Sequence, residues 1–148
     1  MNMGTAAAWD GLGIQLDGPR TSSGAAYDGS AESIGDARRF ARDFLARVAE
    51  TPGLAVAPRV AGTVQLVVSE LVTNACKYAP GPCLLDLEVT SSTVTIAVWD
   101  TSPTLPAVLP PDPSRVGQHG LEIVMALSEG VEFQRETVGK RITIQLAR

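Results

Sequence analysis

The sequence predicts a two-layer α/β (α+β) domain in which helices cover one face of a mixed, mostly antiparallel sheet. Three observations carry this. Two long segments repeat their apolar residues at three- and four-residue steps, the period of a helix with one buried face. Two later segments, Cys83–Thr90 and Thr93–Asp100, alternate apolar and polar residues as strands do. The short connections at Ser91-Ser92 and around Val138-Gly139 suit tight hairpins, which pair strands antiparallel. Two long helices, four or five strands and one further helix make such a sandwich.

The elements follow in order. Residues 1–30 are rich in Gly, Ser and Ala with little periodicity and read as a poorly ordered extension, with short strands conceivable at Ile14–Leu16 and Ala25–Tyr27. The folded domain is expected over residues 31–148. Ile34, Ala37, Ala41, Phe44, Leu45 and Val48 predict a helix over Ala31–Glu50, with Ser30 as its cap and Thr51-Pro52-Gly53 as its stop. A second helix starts at Pro58, a favoured first-turn residue, and runs to Tyr78, where Pro80, Gly81 and Pro82 end it. After the first hairpin, a loop carrying Pro103, Pro106, Pro110, Pro111 and Pro113 spans Asp100 to Gly117, longer than a compact domain needs for a connection and of the kind used as a lid. Gly120–Ser128 predicts a short helix, and Gly130–Glu136 with Lys140–Ala147 a last hairpin.

Composition narrows the classes of function. A chain of 148 residues suits a single domain with a real core. No apolar run approaches the ~20 residues of a membrane span, and the N-terminus lacks the pattern of a secretory signal, so a cytoplasmic protein without membrane association is expected. Cys76 and Cys83 are too few for a disulfide framework or zinc site and read as small buried side chains. A net charge of −4 with no sustained basic run argues against direct nucleic-acid binding. The densest basic stretch, residues 37–42, lies on the amphipathic first helix and is expected to face water.

The chemistry concentrates in Ser69–Ala79. Glu70 and Asn74 are four residues apart, so they project from one helical face a turn from each other, and Lys77 follows three residues later. Val67, Val68, Leu71, Val72 and Ala75 supply the buried stripe. A carboxylate, a neutral oxygen donor and a cation together suit a magnesium-bound polyphosphate. On spacing alone, a solvated helix face explains the same residues.

Three blocks in order bear on that choice. They are Glu70-Leu71-Val72-Thr73-Asn74-Ala75-Cys76-Lys77-Tyr78-Ala79, then Val98-Trp99-Asp100-Thr101-Ser102-Pro103, then Gly117-Gln118-His119-Gly120-Leu121-Glu122-Ile123-Val124. Together they resemble the N box and the two glycine-box regions of the histidine kinase-like ATP-binding domains (the Bergerat fold), shared by sensor histidine kinases, a heat-shock chaperone, DNA gyrase and MutL. The resemblance covers roughly Ala31 to Arg148 and is greatest to the stand-alone actinobacterial anti-sigma factor serine kinases.

The resemblance implies ATP and Mg2+ as ligands. Asn74 would hold the metal, Glu70 would act as general base on a partner's serine, Lys77 would meet phosphate, and Tyr78 would border the nucleotide. Asp100 would accept a hydrogen bond from the adenine amino group, with Ser102 close to the base. Gly117 and Gly120 would let the lid backbone approach phosphate, and Gly120 and Leu121 open a helix whose free N–H groups favour anions. His119 either touches the triphosphate or is an exposed loop side chain; Arg115 either closes over phosphate or is solvated, and Trp99 is expected to pack. Two departures from the family bear on nucleotide affinity: Asp100-Thr101-Ser102 stands where Asp-x-Gly is usual, and Gly139-Lys140 where Gly-Thr is usual, with Thr143 displaced.

The implied partners are a sigma factor and an anti-sigma antagonist, with self-pairing left open. The function classes are a protein serine kinase acting on the antagonist, a non-catalytic partner-binding switch on the same fold, and an unrelated ATPase. A sensor histidine kinase is not expected, because no histidine-bearing dimerisation helices precede the domain, and neither is a gyrase-type transducer arrangement.

Overall fold

The computed structural model describes residues 19–79, 81–102 and 119–148. In chain order they form β1 (Arg20–Tyr27), α1 (Glu32–Val48), α2 (Pro58–Tyr78), β2 (Cys83–Thr90), β3 (Thr93–Asp100), α3 (His119–Leu127), β4 (Gly130–Arg135) and β5 (Lys140–Ala147). The strands make one sheet in the order β1-β2-β3-β5-β4. Its four neighbour pairings are all antiparallel, so the parallel component allowed by a mixed sheet is absent among the described residues.

The two long helices form because their apolar positions all reach one core. On α1, Ala37, Ala41, Phe44, Leu45 and Val48 are buried; on α2, Val60, Val64, Val67, Val68, Leu71, Val72 and Ala75 are. They meet the inward residues of the sheet: Leu85, Leu87 and Val89 on β2, Val94, Ile96 and Val98 on β3, and Ile142, Ile144 and Leu146 on β5. Each such side chain contributes roughly 1.5–3 kcal/mol on burial, which outweighs the β-branched residues' modest helix propensity in α2.

Three expectations need correction. Ser30 does not cap α1; the N-cap position is Ala31, which makes no side-chain cap. Asp28 stiffens the entry instead, its carboxylate accepting from the Ser30 N–H (2.9 Å) and the Ser33 hydroxyl (3.1 Å). Those bonds, the Ser30 N–H first, hold its carboxyl below the ordinary carboxylate range. The second correction is β1. Residues 20–27 lie within the segment expected to be poorly ordered, yet they pair along their length with β2. Thr21-Ser22-Ser23-Gly24-Ala25-Ala26 has little strand propensity of its own and takes its conformation from the edge β2 offers. The proposed strand at Ile14–Leu16 lies outside the described residues. Third, Cys76 is only half-buried, and its thiol donates to the Ser30 carbonyl (3.6 Å), whereas Cys83 is buried as expected.

The turns hold as read. Thr90, buried at the end of β2, accepts from the N–H groups of Ser92 (3.2 Å) and Thr93 (3.1 Å) and closes the β2–β3 hairpin. In the β4–β5 hairpin the Glu136 N–H donates to the Gly139 carbonyl (3.0 Å). Arg148 donates to the carbonyls of Thr90 (2.9 Å), Gly53 (3.1 Å) and Ala55, tying the chain end to the α1–α2 connection. Arg38, Arg39 and Arg42 face water, as the amphipathic pattern of α1 requires. No helix among the described residues is long and apolar enough to cross a membrane.

Candidate functional site

On α2 the buried stripe leaves a second face half-open. Glu70 and Asn74 lie on it, neither sunk in the core, while Leu71, Val72 and Ala75 beside them are buried. The helical period thus keeps acid and amide on one side and the apolar stripe on the other. Neither side chain forms a hydrogen bond or ion pair with the rest of the chain among the described residues, so both are available to a ligand. Lys77 and Tyr78 are exposed in the last turn, with the Lys77 ammonium 5.4 Å from the Tyr78 ring centroid, within cation–π range.

α3 packs against α2. His119 and Gly120 form its first turn, Leu121 lies half-buried against the core, and Val124 is fully buried. The first N–H groups of such a helix have no intrahelical partner and favour anions. Gly117 and Arg115 lie outside the described residues. No group of metal-ligating side chains occurs among the described residues. Asn74 presents a single neutral amide oxygen, a donor type that Mg2+ accepts beside water and phosphate oxygens.

Gly81, which follows α2, lies beside Thr101 at the end of β3. A Cβ on Gly81, whose φ is +124°, would meet the Thr101 hydroxyl at 3.5 Å. Tyr27, Cys83, Asp100 and Lys140 stand in one row across four strands, and Cys83, Asp100 and Lys140 are buried there. Burial pushes the Cys83 thiol up to about 11, with Cys76, Asp100 and Asp28 adding to the effect. Burial also raises Tyr27, helped by Asp36 and Cys83.

Asp100 is where geometry departs from expectation. Its carboxylate is not open to a ligand: Lys140 Nζ lies 2.8 Å from Oδ2 and 2.9 Å from Oδ1, and the Ser102 N–H donates to Oδ1 at 2.9 Å. The two side chains are only 4% and 6% exposed. Ser102 thus serves Asp100 through its backbone. A base amino group therefore meets no open acceptor at Asp100 as the residue stands.

Lys140 is the residue that sequence reasoning missed. Its substitution for threonine was visible, but its partner was not. A signal existed, because antiparallel pairing of Thr93–Asp100 with Lys140–Ala147 end to end sets Asp100 opposite Lys140. Trp99 points to the other face of the sheet and donates its indole N–H to the Val138 carbonyl (2.7 Å), so it braces the final hairpin. That face also carries a shallow depression of about 400 Å³, lined by residues such as Ser22, Asp86 and Arg141, and Thr143, the displaced threonine, lines it too, on the face away from Asp100.

Comparison with known proteins follows the same lines. No curated protein matches the chain. Among solved structures, the RsbU and RsbW domains of Rv1364c from Mycobacterium tuberculosis superpose with a TM-score of 0.63 at 18% identity, over 90% of this chain and 34% of that one. This chain thus spans about a third of that structure's length, and at this identity the likeness is one of fold. The family model of the histidine kinase-like ATPase domain matches residues 29–146, from α1 into β5 and leaving out β1. The chain therefore belongs to the histidine kinase-like ATPase domain family.

Proposed function

We propose that the chain is an ATP-binding regulator of the anti-sigma type and a protein serine kinase that phosphorylates an anti-sigma antagonist. One observation carries this reading: Glu70 and Asn74 share a half-open face of α2 a single turn apart, unengaged by the other described residues. A binding module has no need of a base beside a metal-holding amide. The fold likeness to a structure that includes an RsbW domain supports the reading.

In this reading Asn74 offers its amide oxygen to Mg2+, which when bound draws charge from the phosphate oxygens. Glu70 takes the proton of the partner's serine hydroxyl as that oxygen attacks the γ-phosphorus, and ADP departs with the electrons of the broken P–O bond. Lys77 and the first N–H groups of α3 balance phosphate charge. The partners are a sigma factor and its antagonist, met in the cytoplasm, with no direct contact to nucleic acid or membrane; self-pairing is compatible with this scheme.

A second reading, a non-catalytic switch that binds its partner with weak or no ATP turnover, is favoured by the buried Asp100–Lys140 pair. Incubation with labelled ATP, Mg2+ and candidate antagonist proteins separates the two. Glu70→Gln should lower phosphotransfer by about 100-fold or more while phosphate-end binding stays within about threefold. Undiminished transfer in Glu70→Gln would remove this residue from the mechanism. Saturable partner binding with no phosphotransfer by the unsubstituted chain would establish the switch.

A further inference from the structure

The buried pair at the end of β3 has a consequence for which nucleotides the chain accepts. Asp100 receives three contacts from two donor groups, two from the Lys140 ammonium and one from the Ser102 N–H, and is 3% exposed as a residue, with Lys140 at 5%. An exocyclic amino group on a base is a neutral donor. To reach this carboxylate it would have to displace a charge-assisted donor and leave the Lys140 ammonium buried without its counter-ion, a costly exchange.

The pair is also held from outside. Gly139 approaches the β3 end so closely that a Cβ there would lie 1.8 Å from the Asp100 carbonyl oxygen, so the hairpin turn presses Lys140 against its partner. The Trp99 indole, bonded to the Val138 carbonyl, clamps the same turn from the other face.

We propose that Lys140 is a specificity-determining residue: its ammonium occupies the place of a base's amino group, so nucleotides bind through their phosphates with little regard for the base. This rests on the ATP-binding reading above. Adenine and guanine differ at the edge an acidic side chain would read, and here that side chain is satisfied internally. Threonine at position 140 has no charge and is too short to hold the carboxylate, so it would free Asp100 to select adenine.

The experiment is titration calorimetry of the unsubstituted chain and of Lys140→Thr with MgATP, MgGTP and magnesium triphosphate, each protein checked for folding by circular dichroism. The unsubstituted chain should bind ATP and GTP within about threefold of each other, and close to inorganic triphosphate. Lys140→Thr should gain about 10-fold or more for ATP and not for GTP. A tenfold or greater preference for ATP in the unsubstituted chain overturns the proposal without touching the ATP-binding reading, and this needs no variant to fold. A folded Lys140→Thr that gains nothing for ATP also overturns it. Failure of both proteins to bind any of the three ligands overturns the ATP-binding reading as well.

Discussion

Gly139 and Gly53 form a matched pair for testing how the end of the sheet is held. Both have φ of +83°, a region costly to side chains, but their surroundings differ. A Cβ on Gly53 would meet nothing within 4 Å, whereas on Gly139 it would fall 1.8 Å from the Asp100 carbonyl oxygen. Alanine at either site incurs about 1–2 kcal/mol for the left-handed backbone, partly offset by about 0.4–1 kcal/mol from a stiffer unfolded chain. Gly53→Ala should therefore lose about 0.5–1.5 kcal/mol. Real Cβ contacts essentially never come under 3.0 Å, so Gly139→Ala must drive the hairpin more than 1 Å from β3. That displacement stretches the Asp100–Lys140 pair, and breaking a buried pair costs about 3–5 kcal/mol. We expect Gly139→Ala to lose about 3 kcal/mol or more. Urea unfolding of both variants, followed by circular dichroism, measures the difference, and the melting temperatures should separate by about 6–10 °C. Losses agreeing within about 0.5 kcal/mol would refute the argument that the turn presses on β3.

The two sides of α2 should respond unequally to truncation. Leu71→Ala, at a site 1% exposed, should lose about 2–5 kcal/mol in urea unfolding, and Glu70→Ala next to it less than about 1 kcal/mol; equal losses would place Glu70 in the core. Cys83, raised from 9.0 to about 11, should resist iodoacetamide at pH 8 with about 100-fold less thiolate than an ordinary thiol; rapid labelling at Cys83 itself, told apart from the half-buried Cys76 by peptide mapping, would refute its burial. Because its folded value lies above the unfolded one, the stability Cys83 contributes is complete below about pH 9 and is lost as pH rises through about 11, so stability should fall less steeply between about pH 9 and 11 in Cys83→Ala than in the unsubstituted chain, and equal slopes would refute the assignment.

Much of the fold is legible because burial imposes a period. The apolar steps of α1 and α2 and the alternation of β2, β3 and β5 each have one physical solution, and the elements lie where the pattern sets them, to within a residue or two at the ends. β1 was not legible as an eight-residue strand, since Ser, Gly and Ala carry no pattern and pairing with β2 alone extends them. The cap of α1 went astray for a related reason: Asp28 and Ser30 are both competent acceptors, and only the path of the chain out of β1 decides which one is placed to serve. The glycine-rich start of α3 and the N-box face were legible from motif order, and the structure leaves Glu70 and Asn74 on an open face.

Sequence alone determined the alternation of helix and strand, the acid and amide one turn apart on α2, and the family to which these motifs point, because each depends on residues close together along the chain. Tertiary structure alone decided the condition of Asp100. Its partner Lys140 is 40 residues away and reaches it only because β5 enters the sheet beside β3. A charge's availability depends on what the fold sets against it, and that cannot be read from its own neighbours in the chain.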